Sequence, residues 1–562
     1  MASCGARDGA VRRKSRSRAV QVTAPALRAA AALLAAALVT VLCAGCRVGA
    51  PTVNFAPGAS VLRIAEADDI PTLDPAAGYD TVSWTFEQMI FDTLVRYGSS
   101  NLKLVPDAAA SWEVSPDATR FVFHLRHDVV FTNGRAVAAA DFKYAIERVI
   151  DPRTQSKGME YYREISGAAV FAAHRVPSVA GIETPDAYTI VFRLKHPDPL
   201  FVDKLAMPFA AAVPHEVVKR WGADFSRHVV GSGPFKLKQW IGGQRLVLVK
   251  NPRYFVKGKP RLDAIDVAIG VSQELQWLRF EAGELDISAI PPAEFPYVMR
   301  TARLRRLTLH EVTVATDYLG MNCQMAPFTD VRVRRAFNYA IDKRKLVELL
   351  NGRGVVAGGV MPPNLPGYDP AVESYPLDPK KARELLETAH LRLPLRPTLW
   401  LIADQTMLML GQSIQQDLAL VGVEVRLKPV AWAPLLEAVR QPRTVALVLL
   451  GWEADFPDPE NFLAVLLSKK QWGANNDTFY DNPRVDTLLA EAAPLTDLAR
   501  RYQIYREAER IVLADAPWVP LFHPVAYAIR QPWVHGYRLN PMRPSRLDTV
   551  WLGPRTATRT RR

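Results

Sequence analysis

Cysteine is scarce in this sequence. The 562 residues include only Cys4, Cys43, Cys46 and Cys323, and the first three lie near the N-terminus. If that segment is removed or modified, Cys323 is single and no intrachain disulfide can form. Cys323 follows the apolar residues 319–321, which indicates a buried structural thiol rather than a nucleophile.

Motifs that mark enzymes are also missing. The ten histidines are scattered, and neither a His-Glu-x-x-His motif nor a phosphate-binding P-loop occurs. The segment 231–234, Gly-Ser-Gly-Pro, lacks the spacing of a nucleophile elbow and is expected to form a tight turn. Twelve Trp and seventeen Tyr without a catalytic signature favour a binding site. We therefore predict no catalytic residue, no metal and no cofactor.

The body of the chain also lacks an excess of charge of one sign. The formal net charge is +13, but six of these charges lie in residues 1–45 and four in residues 555–562, which leaves +3 for the body. A nucleic-acid partner is therefore not expected, because phosphate binding needs basic residues gathered on one face. We expect the basic tail, 555–562, to be a solvated, disordered end.

The N-terminus has the pattern of an export signal. Residues 1–45 combine a basic start, the apolar run 29–42 and the small residues before Cys46. The run is shorter than the roughly 20 residues of a membrane span, although a permanent anchor helix is the alternative. Ala-Gly before Cys46 resembles a bacterial lipobox, in which Cys46 would be lipidated; cleavage after Ala50 would instead release a soluble protein. Either route takes the protein out of the cytoplasm.

The length and the hydrophobic pattern predict two or three α/β domains, since single cores stop growing near roughly 250 to 300 residues. Alternation of strands and helices favours an open, largely parallel sheet. Asp330 and Asp378 are expected to cap helices. Strands are expected at 61–65, 121–125, 189–194, 245–249, 264–269, 398–402, 423–427 and 445–450, and helices at 83–94, 141–150, 331–350, 379–389 and about 407–420.

Several segments, in a fixed order, resemble the solute-binding proteins of oligopeptide and dipeptide ABC importers, family 5. The resemblance covers about residues 62–541, and the joint order of its segments is more specific than any one of them. The segments include 73–75, 104–113, 130–134, 231–235, 326–336 and 451–459.

The resemblance implies a two-lobed, periplasmic-binding-protein-like α/β fold of class II, large type, with an extra α/β subdomain in the N-terminal lobe. It assigns lobe I to residues 56–84, 213–310 and 518–554, the extra subdomain to 85–212, and lobe II to 311–517. Such a receptor is periplasmic, either free or anchored through a lipidated Cys46. It is expected to be a monomer that captures short peptides between its lobes and delivers them to the membrane subunits of an ABC permease.

The family also suggests site residues. In peptide-binding members an Asp shortly after Gly-Trp pairs with the peptide amino group, and Asp455 is the matching position. Trp452 and Trp432 match aromatic residues of the peptide cleft. Asp455 could instead be a turn residue and Trp452 a core residue, while Glu453 and Asp458 are expected to be solvated loop charges.

One departure concerns the peptide carboxylate. Some relatives place an Arg just before the Gly-Trp, whereas residues 447–450 here are Leu-Val-Leu-Leu. Either another cation holds the carboxylate, with Arg353 and Arg443 as candidates, or the ligand lacks one there.

The ligand class is not fixed by the fold. Relatives also bind glutathione, nickel chelates, haem or cell-wall peptides, and an exported peptide hydrolase or a sensory receptor are further alternatives.

Overall fold

The computed structural model describes residues 53–98, 101–373, 375–542 and 546–555. The expected signal peptide with Cys46 and the tail beyond Arg555 lie outside the described residues, so both remain predictions. The helices are α1 Thr81–Ile90, α2 Ala139–Ile150, α3 Met159–Tyr162, α4 Ala168–Ala172, α5 Phe201–Lys204, α6 His215–Trp221, α7 Gln273–Glu281, α8 Phe295–Arg300, α9 Ala302–Leu307, α10 Val331–Ala340, α11 Lys343–Leu349, α12 Pro379–Thr388, α13 Gln405–Ala419, α14 Trp432–Val439, α15 Pro459–Leu467, α16 Pro483–Ala492 and α17 Leu498–Asp515.

The strands confirm most of the expected strand positions. They are β1 Val61–Glu66, β2 Val95–Tyr97, β3 Leu104–Pro106, β4 Ala109–Val114, β5 Arg120–Leu125, β6 Ile182–Asp186, β7 Thr189–Arg193, β8 Phe235–Ile241, β9 Arg245–Lys250, β10 Ala264–Ile269, β11 Ile287–Ser288, β12 Thr308–Val312, β13 Ala315–Met321, β14 Gly354–Val356, β15 Thr398–Ile402, β16 Arg426–Val430, β17 Leu447–Glu453, β18 Trp518–Arg530, β19 Val534–His535 and β20 Trp551–Leu552.

Three larger sheets organise these strands. One has the order β1-β10-β9-β8, and a second, fully antiparallel sheet has the order β4-β5-β7-β6. The largest follows the path β11-β18-β13-β17-β15-β16, with β12 and β14 also paired to β18.

The expectation of a largely parallel sheet was wrong. In the largest sheet only β15 runs parallel to its neighbours, β16 and β17, whereas β13 is antiparallel to both β17 and β18. The pattern misled because β13 pairs with strands from far along the chain, so the local alternation of strands and helices does not set its direction.

Strand β18 joins two parts of the largest sheet. Its first residues pair with β13 and β14, and its last residues pair with β12 and β11. The change of partner comes after Pro524, since Val525 already pairs with Val312 of β12. One continuous strand therefore crosses from one group of neighbours to the other.

Separate apolar cores form around the sheets. One core lies entirely within residues 76–212 and packs α2 on the sheet of β4 to β7. Another packs α1 on the β1 sheet. Along β13, Tyr318 and Leu319 enter different cores, because successive strand residues point to opposite faces.

The helix expected over residues 331–350 is divided. Asp330 caps α10 as expected, accepting the Arg332 N–H at 2.8 Å. The backbone then becomes extended at Ile341 and Asp342, and the Asp342 carboxylate accepts the N–H groups of Arg344 and Lys345 at 3.1 Å each. This second cap begins α11, so a capping residue inside a helical pattern produces two helices.

Candidate functional site

A cavity of about 640 Å³ is lined by the beginning of α1 and the end of β17. One wall comes from residues 77–85 together with Lys157, and the other from α14, residues 450–455 and residues 474–477. All three candidate site residues, Asp455, Trp452 and Trp432, line it. We call it the Asp455 cavity.

The wall at α1 is fixed by local bonds. The Asp80 carboxylate accepts the Ser83 N–H at 2.8 Å and caps the helix, and the Trp84 indole N–H donates to the Gly78 carbonyl at 2.8 Å. These bonds hold the intervening residue, Tyr79, at the entrance to the helix. The Tyr79 ring contacts Trp84, with ring centroids 5.5 Å apart.

Asp455 connects the two walls. Its Oδ2 accepts the hydroxyl of Tyr79 at 3.0 Å and the hydroxyl of Tyr161 at 2.8 Å, although only 7% of Asp455 is exposed. Burial, and then the charge of Asp455, holds the pKa of Tyr161 well above its ordinary value. Tyr161 therefore stays protonated and remains a donor to this carboxylate.

Asn461 positions both Asp455 and Trp452. Its Oδ1 accepts the Trp452 indole N–H at 2.8 Å and the Asp455 backbone N–H at 3.2 Å. Asn461 is fully buried, on α15. Because one amide oxygen binds both groups, the Trp452 ring and residue 455 are held in fixed positions relative to each other.

Glycine is required just before Trp452. Gly451 of β17 pairs with Asp317 of β13, and a Cβ at Gly451 would overlap the Asp317 carboxylate. Burial raises the pKa of Asp317 to about 7. Gly451 thus allows β17 to pass close to the Asp317 carboxylate, and Trp452 provides an aromatic surface of the cavity.

Trp432 presents its ring more openly than Trp452 does. It is the first residue of α14 and is 50% exposed. Its side chain lines the Asp455 cavity. Its role in ligand binding, like the roles of Trp452 and Asp455, remains a proposal.

Charges of both signs line the Asp455 cavity. The acidic lining residues that the structure describes are Asp80, Glu453, Asp455 and Asp477, and the basic ones are Lys157 and Arg440. Burial raises the pKa of Asp477 to about 7, an effect that Arg440 partly opposes. The Arg440 Nε donates to the carbonyl of Ala474 at 3.3 Å.

Neither arginine suggested by the sequence, Arg353 or Arg443, is among the described lining residues. The Arg353 guanidinium lies over the Phe295 ring at 5.6 Å and donates to the Leu350 carbonyl at 3.1 Å. Lys157 and Arg440 were missed because only the tertiary fold brings them to the Asp455 cavity.

The expectation for Asp458 was wrong, whereas Glu453 is exposed as expected. Asp458 is 3% exposed, and its carboxylate pairs with the fully buried Arg501 at 2.9 Å. Arg501 also pairs with Glu460 at 2.9 Å. Asp458 is therefore part of a buried ion cluster that supports the loop carrying Asp455.

A metal cluster and a membrane-spanning helix are both absent from the described residues. They contain no cluster of three or more His, Cys, Asp or Glu side chains that could bind a metal ion. None of their helices is both long enough and apolar enough to cross a membrane. Cys323 is half-buried as a free thiol, and burial raises its pKa to about 11.

The α/β fold and the charged, aromatic cavity define a receptor for small solutes, and comparison with known proteins identifies its family. The family model of bacterial extracellular solute-binding proteins, family 5, matches residues 103–474. The chain belongs to this family, which confirms the two-lobed α/β fold class and the extracytoplasmic solute-binding function.

Individual relatives agree with this assignment. The chain is 29% identical to the heme-binding protein A of Haemophilus influenzae, over 81% of this chain and 85% of that protein. It is also 29% identical to di/tripeptide-binding protein 4 of Pseudomonas aeruginosa, over 85% of this chain and 93% of that protein. Among solved structures it resembles the periplasmic binding protein DppA from Helicobacter pylori in complex with the peptide STSA, with a TM-score of 0.77, 26% identity, and coverage of 88% of this chain and 98% of that one.

Proposed function

We propose that this protein captures short peptides in the Asp455 cavity and delivers them to the membrane subunits of an ABC permease, without catalysis. The observation that carries the proposal is the buried Asp455 carboxylate on the cavity wall. Similarity to a di/tripeptide-binding protein and to a peptide complex supports peptides as the ligand class.

Asp455 suits the amino end of a peptide. An ammonium group carries three hydrogen-bond donors and a positive charge. A buried carboxylate can therefore bind it through a charge-assisted hydrogen bond. Tyr79 and Tyr161 already direct their hydroxyls to Oδ2, so the carboxylate is oriented before an ammonium group arrives.

The remaining lining fits the rest of a peptide. Trp452, fixed by Asn461, and the exposed ring of Trp432 offer broad apolar surfaces that tolerate different side chains. Lys157 and Arg440 are our candidates for the peptide carboxylate, since both line the same cavity.

We also propose the lobe boundaries that the resemblance implies: residues 56–84, 213–310 and 518–554 for lobe I, 85–212 for its extra subdomain, and 311–517 for lobe II. The core whose buried residues lie within 76–212 supports the extra subdomain. The change of partners along β18 comes after Pro524 and favours a junction between the lobes inside this strand, a few residues after 517. We propose a periplasmic monomer, anchored through Cys46 if the lipobox is used.

The test is calorimetric titration of the purified protein and its Asp455→Asn variant with tripeptides and their N-acetylated forms. Removing one partner of a buried charge pair costs roughly 2 to 5 kcal/mol, so we expect Asp455→Asn to weaken free-amine tripeptides about a hundredfold. N-acetylation of the tripeptide should weaken its binding to the wild type by a similar factor. It should have little further effect on binding to Asp455→Asn.

Asp477→Asn is the matched control, because Asp477 lines the same cavity and the substitution is the same. It should retain most of the affinity. Equal losses in the two variants would contradict the role of Asp455 as the amine anchor. Absence of binding by every peptide would overturn the peptide assignment and direct the search to haem, the ligand in the name of one relative.

A further inference from the structure

A second cavity, of about 410 Å³, adjoins the Asp455 cavity. Thr81 and Thr85 line both cavities. These residues are one turn apart on α1, which is about 6 Å along the helix axis. The second cavity is otherwise formed by the carboxyl end of β1, by α7, by β11 and by β18. A single extended ligand could therefore occupy both cavities along the same edge of α1.

The second cavity has a one-sided charge. Its described lining residues include the carboxylates of Glu66 and Asp68 and neither Lys nor Arg, in contrast to the mixed charges of the Asp455 cavity. Glu66 is half-buried, and its carboxylate forms no ion pair with any residue that the structure describes. We call this space the Glu66 cavity.

An uncompensated carboxylate in such a place is costly. Burial, and then the charge of Asp68, raises the pKa of Glu66 to about 7. Burial and then the charge of Glu66 raise the pKa of Tyr537, another lining residue, to about 12. Burial is the larger cause of both shifts. Because no Lys or Arg lines the cavity to oppose it, a bound cation would lower the pKa of Glu66.

We propose that the Glu66 cavity is a subsite of the ligand cleft that takes a Lys or Arg side chain of the bound peptide, with Glu66 and Asp68 as its counter-charges. The inference rests on the proposed peptide function and narrows it to basic peptides. Tyr527 and Tyr537 also line the cavity, and aromatic rings of this kind pack on the methylene stem of a basic side chain and attract its charged end.

The groups around Glu66 do not already supply this cation. Asp68 follows it on the same segment, Tyr537 faces it, and Tyr527 comes from β18. Tyr527 stacks on His310 with ring centroids 5.7 Å apart, and Arg353 lowers its pKa against the larger effect of burial. Neither His310 nor Arg353 is among the lining residues.

The experiment compares tripeptides that differ in one side chain: Ala-Lys-Ala, Ala-norleucine-Ala, and the corresponding peptides with Lys or norleucine at the third position. Lysine and norleucine have the same four-carbon stem, so the difference isolates the charge. We expect calorimetry at pH 7.5 to show at least a tenfold preference for Lys at one of the two positions. The preference should shrink at pH 6, where Glu66 is more fully protonated.

Glu66→Gln should reduce that preference to about threefold or less while changing the affinity for the norleucine peptide less than about twofold. The Lys-to-norleucine comparison on the wild type stands by itself if the variant does not fold. Tripeptides that bind without any preference for Lys, or a preference that Glu66→Gln leaves intact, would overturn the subsite while the peptide function stood. If neither peptide bound, both proposals would fail.

Discussion

Replacing Glu509 by Gln gives a test of how burial controls the charges of this protein. Glu509 lies on α17 and is 2% exposed, and its Oε1 accepts the backbone N–H groups of Val360 and Met361 at 2.9 Å each. The amide oxygen of glutamine can accept the same two bonds. Glu509→Gln therefore removes the titrating proton while keeping the shape and the acceptor.

The magnitude follows from the pKa of Glu509, which burial raises from 4.5 to about 7. Between these two pH values the native state holds the proton while the unfolded chain has lost it, so stability falls as the pH rises. One pKa unit corresponds to about 1.4 kcal/mol, so the wild type should lose about 3 kcal/mol across this window through Glu509. The loss should be complete above pH 7, and Glu509→Gln should not show it.

The assay is urea unfolding of both proteins, followed by tryptophan fluorescence, at several values between pH 4.5 and 7.5. The stability of Glu509→Gln relative to wild type should rise by about 3 kcal/mol over this range. Glu507→Gln is the control on the same helix, since the Glu507 side chain is 50% exposed and pairs with Arg484 at the surface. It should show no rise of this size. Parallel curves for wild type and Glu509→Gln would refute the reasoning, because they would mean that Glu509 titrates alike in both states.

Two further substitutions test the support of the site. Asn461→Leu removes the hydrogen-bond acceptor that Trp452 and Asp455 share. Each lost bond costs about 1 kcal/mol, so calorimetry should show peptide affinity reduced roughly tenfold or more. Unchanged affinity would mean that Asn461 does not position the site. Arg501→Met leaves the buried carboxylate of Asp458 without its cation, so urea unfolding should show a loss of roughly 3 to 5 kcal/mol. A loss below about 1 kcal/mol would contradict the importance of the cluster.

Local sequence signals predicted most secondary structure but not its assembly. Asp378 and Pro379 begin α12 as expected, and the Asp378 carboxylate accepts the Lys381 N–H at 2.9 Å. The long strand β18 was not expected, although it pairs with four strands of the largest sheet. Its partners come from three distant parts of the chain, and no local pattern specifies such pairings.

The candidate site was predicted in part. Family resemblance led to Asp455, Trp452 and Trp432, which the fold brings to one cavity, while Tyr161 is 294 residues away from Asp455 in sequence and was missed. A signal for Glu66 did exist. It ends strand β1, and ligands of α/β sheets gather at the carboxyl ends of strands.

The loop after β17 combines the proposed ligand anchor with the contacts between the proposed lobes. Asp455 accepts bonds from Tyr79 and Tyr161, and the next residue, Phe456, packs edge-on against the Tyr161 ring with centroids 6.5 Å apart. The Lys204 ammonium group lies 6.0 Å from the Phe456 ring. An ammonium group bound at Asp455 would thus meet a carboxylate whose orientation depends on lobe I. Peptide affinity at Asp455 should therefore depend on the hydroxyl groups of Tyr79 and Tyr161 as well as on the carboxylate itself.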